Sequence, residues 1–297
     1  MTHLPTPAIA DRVARLLHTV PVTWTPVAGG YTAASRWIVT GADGSTAFVK
    51  AGANPNTAEW LRAEWRIYGA ITADWLPALR GWEDGDPPVL MLEDLSRAHW
   101  PPPWTRTQVD GVLAALAAVA RTAVPEGLPP AESQRDDLAG WVKVAQDPMP
   151  FLTLGLCSAA WLDSALPTLV AASAAADLRG ESLLHLDVRS DNLCFVGQRV
   201  VLVDWNWACQ GNARLDIAAW LPSLAAEGGP LPDEILPGEP ALAALMSGFF
   251  AYHAGLAAEG EVSPRLRALQ LVQLRMALPW AARALGLAAP DRNGLPG

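Results

Sequence analysis

The amino-acid sequence predicts an α+β fold, with a small antiparallel sheet and one main helix first and mostly helices thereafter. Residues 27–52 contain short apolar runs separated by glycine-containing turns, which is typical of antiparallel strands. From Thr107 onward, apolar residues recur with helical spacing over most of the chain. The chain has 297 residues, of which 51% are apolar, so it is long enough for one large domain or for two lobes.

Composition excludes several classes of protein. A formal net charge of −9 argues against binding to nucleic acid or to an anionic membrane. The three cysteines have no metal-type spacing, and their odd number argues against a disulfide framework. There is no signal peptide pattern and no apolar run of about 18 residues that would cross a bilayer. We therefore expect a cytoplasmic protein, and oligomeric state stays open.

The first elements are a helix and three strands. Residues 7–19 have the apolar spacing of a helix that covers the sheet. Three short strands follow within residues 27–52, with turns at Gly29-Gly30 and Asp43-Gly44.

A lysine and a glutamate are expected to form a buried pair. Lys50 ends a buried strand, where its ammonium needs a partner or water. Asn56 and Glu59 form a candidate capping box for the helix that follows. Glu64 lies on the apolar face of that helix, where a carboxylate is costly unless it is paired. A solvated Glu64 at the edge of the apolar stripe is the alternative.

The remaining chain is expected to contain one further strand and then helices. Residues 82–88 are interpreted as a turn, and Val89–Leu92 as a short apolar strand. Thr107, with Asp110 three residues later, is a candidate cap for the next helix. The last helix is expected to begin at Ser263, with Pro264 as its first residue.

The most informative stretch is a polar loop followed by a hairpin. Residues 185–192 are polar, and residues 193–203 form two apolar runs around a turn at Gly197-Gln198. A hairpin brings its ends together, so Asn192 and Asp204 are expected to lie side by side. Two oxygen ligands suit Mg²⁺, which takes few protein ligands and keeps water and phosphate oxygens for the rest.

These residues resemble the catalytic and metal loops of the aminoglycoside phosphotransferase family, which has a protein-kinase-like fold. His185-Leu186-Asp187, Asn192 and Asp204-Trp205 reproduce the family's order and spacing. That family also includes choline, homoserine, methylthioribose and other small-molecule kinases. The resemblance implies that Asp187 is the catalytic base, that Asn192 and Asp204 bind Mg²⁺, and that the cofactor is ATP.

The resemblance also implies two lobes. Residues 1–95 would form the nucleotide-binding N-lobe, and residues 96–297 a larger, mostly helical C-lobe with the catalytic loop, metal site and acceptor pocket. The strand Val89–Leu92 would lead into the hinge, where backbone groups around Glu93 and Leu95 would read the adenine edge.

Further roles follow from the resemblance with alternatives left open. Lys50, held by Glu64, would bind the α- and β-phosphates. Thr32 and Ser35, beside the glycine turn, would donate hydroxyls to phosphate or would only stabilise the turn. Arg189 would neutralise charge on the transferred phosphoryl group or would be an exposed arginine.

The region after the metal loop is expected to shape the acceptor pocket. Asp216 matches the acidic residue of the family's next motif and would cap a helix and bond the catalytic-loop backbone, although Ala213 replaces the usual proline. Residues 225–240 carry four carboxylates that would favour a cationic acceptor, unless they only form a solvated acidic loop. Three tryptophans are near enough in sequence to stack on a sugar ring, with core packing as the alternative: Trp205, Trp207 and Trp220.

Three functions remain possible at this stage. The first is a kinase for an aminoglycoside or related aminated compound. The second is a metabolic kinase for an amino sugar, sugar or amino alcohol. The third is a pseudokinase that binds nucleotide or a partner without turnover, which the retention of Lys50, Asp187, Asn192 and Asp204 argues against.

Overall fold

The computed structural model describes residues 4–257 and 264–291, which fall into two compact units. The first unit comprises Met1–Pro101, Pro125–Gly127 and Ser190–Ala208, and the second comprises Pro102–Val124, Leu128–Arg189 and Cys209–Gly297. The hairpin segment is therefore grouped with the N-terminal strands, whereas the expected division after Leu95 assigns it to the larger lobe.

The elements follow one another with strands concentrated in the first unit. The strands are β1 Pro21–Pro26, β2 Ser35–Gly41, β3 Thr46–Ala51, β4 Leu79–Glu83, β5 Val89–Leu92, β6 Ser182–Leu184, β7 Leu193–Val196, β8 Arg199–Leu202 and β9 Cys209–Gly211. The helices are α1 Pro7–Leu17, α2 Pro55–Ala70, α3 Arg106–Arg121, α4 Arg135–Leu138, α5 Gly140–Gln146, α6 Met149–Leu152, α7 Ala159–Ala174, α8 Arg214–Ala226, α9 Pro232–Ile235, α10 Pro240–Gly255 and α11 Pro264–Ala284. Short 3-10 helices cover Ala131–Gln134 and Trp205–Trp207.

The main sheet is antiparallel throughout, with strand order β1-β2-β3-β5-β4. One face packs against α1 through a cluster of buried apolar residues that includes Val13, Trp37 and Val49. Because side chains alternate along a strand, Lys50 points to the opposite face from Val49. The sheet thus has a sealed apolar face and a second face that carries the lysine.

Two strand predictions need correction. The first strand precedes Val27, because residues 27–34 form the loop that connects β1 to β2. Strand β4 overlaps the segment interpreted as a turn, residues 82–88. This strand lies at the sheet edge and is only partly buried, so it lacks the alternating apolar pattern that identifies a strand in sequence.

The caps predicted for α2 and α3 are each two residues too late. Helix α2 is capped by Asn54, which exchanges hydrogen bonds with Thr57, and not by Asn56. Helix α3 is capped by Thr105, which forms the same reciprocal pattern with Gln108, and not by Thr107. Proline at the first position of α2 fits this start, because its missing N–H would have no intrahelical partner there.

The second unit is mostly helical. Helix α10 packs against α5, α7 and α11, and the short strand β6 pairs with β9 and packs against α3. Helix α11 begins at Pro264, and its expected cap, Ser263, lies outside the described residues. Among residues 4–257 and 264–291, no helix combines the length and apolar character needed to span a membrane.

Candidate active site

A buried lysine lies between two carboxylates in the first unit. The Nζ of Lys50 donates to Oε1 of Glu64, and it donates to Oδ1 of Asp204 over 2.6 Å. The Lys50 side chain is 9% exposed and that of Glu64 is 2% exposed. The predicted contact between Lys50 and Glu64 is present. Asp204, which lies 154 positions after Lys50 in the sequence, contacts the same ammonium.

The electrostatics of this cluster favour an ionised Lys50–Asp204 pair. Burial lowers the pKa of Lys50, but the Asp204 and Glu64 carboxylates outweigh it and hold the pKa above its usual value. Burial raises the pKa of Asp204, yet the ammonium dominates and holds it below its usual range. Burial raises the pKa of Glu64 to about 8, although Lys50 opposes the change. An ammonium has three donors, so two carboxylate contacts leave one N–H of Lys50 for a further acceptor.

The hairpin base brings together the two expected metal ligands. Strands β7 and β8 pair Leu193 with Leu202, and the Asn192 carbonyl accepts from the Val203 N–H over 2.9 Å. Asp204 follows with left-handed backbone angles, φ 68° and ψ 56°. One carboxylate and one amide at the open end of a hairpin are hard oxygen donors, which fit Mg²⁺ with water and phosphate completing its shell. No cluster of three or more His, Cys, Asp or Glu residues suited to a metal occurs in the described parts of the chain.

A pocket in the first unit joins the glycine-containing loop to this cluster. Its lining includes Thr32, Ala34, Lys50, Glu64, Asp204 and Asn206. Gly29 and Gly30 have positive φ angles of 112° and 73°, which favour glycine. Of the two hydroxyl residues expected at phosphate, Thr32 lines the pocket. Ser35 does not belong to this lining, and it opens β2 opposite Ala51.

The sequence analysis did not identify Arg36, which contacts this loop. Its Nη2 donates to the Thr32 Oγ1 over 2.7 Å, and its Nη1 donates to the Ala34 carbonyl over 3.0 Å. The available signal was an arginine at the start of β2, a strand with a buried face that follows the glycine-containing loop.

At the expected hinge, the side chain of Glu93 has hydrogen-bond partners within the protein, whereas two backbone groups have none among the described residues. Glu93 accepts from the Ala78 N–H over 3.0 Å and from Nη2 of Arg199 over 2.5 Å. The Leu95 carbonyl accepts from the Ala98 N–H. Within residues 4–257 and 264–291, no partner is found for the Glu93 carbonyl or the Leu95 N–H. The Glu93 side chain is therefore structural, and any reading of adenine would fall to these two backbone groups.

In the second unit, Asp216 organises the loop that carries the expected base. Its carboxylate accepts from the N–H of His185 over 2.8 Å and from that of Leu186 over 2.7 Å. Leu186 has a left-handed backbone, φ 59°, which is uncommon for a branched residue. Burial raises the pKa of Asp216 to about 6, although the two N–H groups oppose the change. The expected bonds to the loop backbone are present, but Asp216 lies inside α8 and does not cap it.

Arg189 contacts the expected base directly. Its Nη1 donates to Oδ1 of Asp187, and their side chains are 12% and 22% exposed. The Asp187 N–H donates to Nδ1 of His185 over 3.2 Å. Arg189 is thus a partly buried partner of Asp187 and not an exposed arginine, while its action on a phosphoryl group stays a prediction.

The acidic segment 225–240 contains no carboxylate without a partner. Asp233 pairs with Arg283, and Glu239 pairs with Arg214. The other two carboxylates accept hydrogen bonds: Glu227 from Nε1 of Trp104 over 2.8 Å, and Glu234 from the Leu231 N–H over 2.9 Å. These contacts weaken the expectation that the segment attracts a cationic acceptor.

Only one of the three tryptophans considered for sugar stacking is exposed. Trp205 and Trp220 are fully buried, which supports core packing for both. Trp207 is 43% exposed and remains available to a ligand.

Comparison with known proteins is consistent with this arrangement. Residues 23–239 match a sequence family described as the phosphotransferase enzyme family. No curated protein sequence matches the chain.

Solved structures show that the fold is protein-kinase-like, with two lobes. A choline/ethanolamine kinase family protein from Mesorhizobium loti is similar, with TM-score 0.58 and 16% identity, covering 93% of this chain and 97% of that one. Spectinomycin phosphotransferase, in complex with ADP and spectinomycin, gives TM-score 0.56 and 13% identity over 94% and 100% of the two chains. Macrolide 2′-phosphotransferase type I gives a TM-score of 0.51 and 16% identity, covering 96% of this chain and 94% of that one. With its family match over most of the chain, this protein belongs to the phosphotransferase enzyme family and is a kinase that uses an alcohol group as acceptor.

Proposed function

We propose that this protein transfers the γ-phosphoryl group of ATP to a hydroxyl of a small molecule in the cytoplasm. The observation that carries the proposal is the buried contact of Lys50 with Glu64 and Asp204, at a pocket bordered by the glycine-containing loop. An ammonium with one remaining donor suits a phosphate oxygen, and desolvation strengthens that interaction. The Glu93 carbonyl and the Leu95 N–H, for which no partner is found among the described residues, support adenine as the base.

In the proposed reaction, Asp187 orients the acceptor hydroxyl and takes its proton as the oxygen bonds to the γ-phosphorus. The bond between that phosphorus and the β–γ bridging oxygen breaks, and ADP leaves. Arg189, which contacts Asp187, would neutralise charge on the transferred group. Asn192 and Asp204 would hold Mg²⁺, which would neutralise charge on the phosphate oxygens when bound. Positioning and charge neutralisation suffice for this transfer, so a cysteine nucleophile is not required, and Cys157, Cys194 and Cys209 are all buried.

The acceptor class divides the proposal in two. An aminoglycoside or related aminated compound is the first candidate, as the resemblance suggests. The partners of all four carboxylates in residues 225–240 favour the second candidate, a metabolic kinase for a sugar, amino sugar or amino alcohol, because a polycation is not needed to balance them.

The test is consumption of Mg-ATP across aminoglycosides, macrolides, amino sugars, sugars and amino alcohols. Asp187→Ala is run beside the wild type, with Asp163→Ala on the exposed face of α7 as the matched control. We expect acceptor-dependent turnover to fall at least about 100-fold in Asp187→Ala, as for loss of a general base. Equal turnover by wild type and Asp187→Ala would remove Asp187 from its role. ATP binding that needs no Mg²⁺, without turnover of any acceptor, would favour a pseudokinase.

A further inference from the structure

An arginine lies against the glycine-containing loop on the face of the sheet that carries Lys50. In the pairing of β2 with β3, Arg36 is directly opposite Lys50, so both side chains project from the same face. Burial and the contact between Lys50 and Asp204 dominate the pKa of both groups, and the positive charge of Arg36 adds to this by opposing the protonated form of Lys50 and favouring the ionised form of Asp204. Arg36 is therefore an additional cation close to the glycine-containing loop, Lys50 and Asp204.

The loop fits closely over this guanidinium. A Cβ atom added to Gly30 would lie 2.8 Å from Nη2 and 2.9 Å from Cζ of Arg36. Gly30 also has a left-handed φ of 73°. The backbone angle favours glycine at residue 30, and a larger residue there would also have to displace the guanidinium of Arg36.

The hydrogen bonds of Arg36 assign a direction to the Thr32 hydroxyl. A guanidinium only donates, so Oγ1 of Thr32 accepts the 2.7 Å bond from Nη2. The proton of that hydroxyl must then be donated elsewhere, and no acceptor for it is found within the described residues. Thr32 is half-buried and lines the same pocket as Lys50 and Asp204, so its hydroxyl proton can be donated to an acceptor oxygen in that pocket.

We propose that Arg36 is a positioning residue for the phosphates of the bound nucleotide: it fixes the glycine-containing loop and turns the Thr32 hydroxyl toward a phosphate oxygen. This inference rests on the proposed function. It explains how the loop between β1 and β2 is held in place, since Arg36 donates to both Thr32 and the Ala34 carbonyl.

The test compares binding of ADP and adenosine by calorimetry to wild type, Arg36→Met, Thr32→Val and the double variant. Charge-assisted hydrogen bonds contribute enough that Arg36→Met is expected to weaken ADP binding about 10-fold or more. Adenosine binding should be unchanged, because adenosine has no phosphate. The double variant should lose little more than Arg36→Met alone, since Arg36 acts through Thr32. Arg62→Met is the matched control, because it removes the same charge from an exposed pair with Asp84.

Arg36→Lys separates charge from positioning. Lysine keeps the charge but cannot reproduce the planar fork that reaches Thr32 and Ala34 together, so most of the loss in ADP affinity should persist. Full recovery in Arg36→Lys, unchanged ADP affinity in Arg36→Met, or equal weakening of ADP and adenosine would each overturn the inference while leaving the proposed function intact. A wild type that binds neither ligand would overturn both.

Discussion

The turns at Leu186 and Asp204 each hold a residue in a left-handed conformation, but different contacts stabilise them. In the second unit, Leu186 has φ 59°, and its N–H and that of His185 are bound by the Asp216 carboxylate. In the first unit, Asp204 has φ 68°, and its own side chain accepts from Lys50. One turn is secured by a carboxylate from outside the loop. The other is secured through a group expected to act on the ligand.

The difference has a consequence for function. A non-glycine residue in the left-handed region costs about 1 kcal/mol or more and persists where its surroundings fix it. Because Asp216 supplies that support, Asp187 need not serve as an anchor of its own loop. Asp204 must serve both as the anchor of its turn and as the proposed metal ligand. Substitutions around Asp204 should therefore lower both stability and activity, whereas substitutions of Asp216 should mainly change stability.

The largest effect is expected from Lys50→Met. This substitution leaves Glu64 and Asp204 without their ammonium, and breaking a buried ion pair costs about 3–5 kcal/mol. We expect a loss of that order in the free energy of unfolding, measured with denaturant, together with loss of ATP binding. Lys143→Met, which breaks a 3.9 Å pair with Asp137, is the control and should cost less than about 1 kcal/mol. Similar losses in both variants would mean that burial does not set the strength of the Lys50 cluster.

Asp216→Asn tests the turn at Leu186 through the pH dependence of stability. The pKa of Asp216 is raised to about 6 in the folded protein, above its ordinary value, so the folded state holds this proton more tightly than the unfolded state. Its contribution to stability is thus fully present below about pH 4 and is lost as pH rises through about 6. We expect the stability of the wild type relative to Asp216→Asn to fall by about 3 kcal/mol over that range and then to level off.

The measurement is denaturant unfolding of both proteins between pH 4 and 8. Asp163→Asn, on the exposed face of α7, serves as the matched control for loss of a carboxylate. A wild-type advantage that grows with rising pH would show that the two backbone N–H groups outweigh burial, and it would reverse the sign expected for Asp216.

The sequence predicted the local geometry of both turns and one of their two anchors: the bonds of Asp216 to the loop backbone were expected, whereas the contact of Asp204 with Lys50 was not. The spacing from His185 to Asp204 indicated the loop, the hairpin and its turn at Gly197-Gln198, because each depends on neighbouring residues. The Lys50–Glu64 contact was also predicted, since a charge on an apolar face requires a partner. Roles of these residues in catalysis remain predictions.

Contacts between distant residues were not accessible in the same way. Arg36 lies four residues from Thr32, but its alignment with Lys50 exists only after β2 and β3 pair. Strand β4 was missed because an edge strand needs no alternating pattern. At the start of α2, Asn54 and Asn56 both qualify as caps by residue type, and the reciprocal bond with Thr57 decides for Asn54.

The Glu93 carboxylate contacts both a backbone N–H, as Asp216 does, and a cation, as Asp204 does. Glu93 therefore offers a test of the comparison with a smaller expected effect. Its carboxylate accepts from a backbone N–H, that of Ala78, and from a cation, Arg199, with side chains 20% and 30% exposed for Glu93 and Arg199. In Arg199→Met the backbone bond remains, so we expect a loss of only about 0.5–1.5 kcal/mol in stability and little change in ATP affinity. Arg106→Met, at an exposed pair with Asp110, should cost less than about 0.5 kcal/mol and sets the baseline. A loss at Arg199 as large as that at Lys50 would mean that the cation, and not the backbone bond, holds the segment at Glu93. The two anchoring devices would then differ less than the turns at Leu186 and Asp204 indicate.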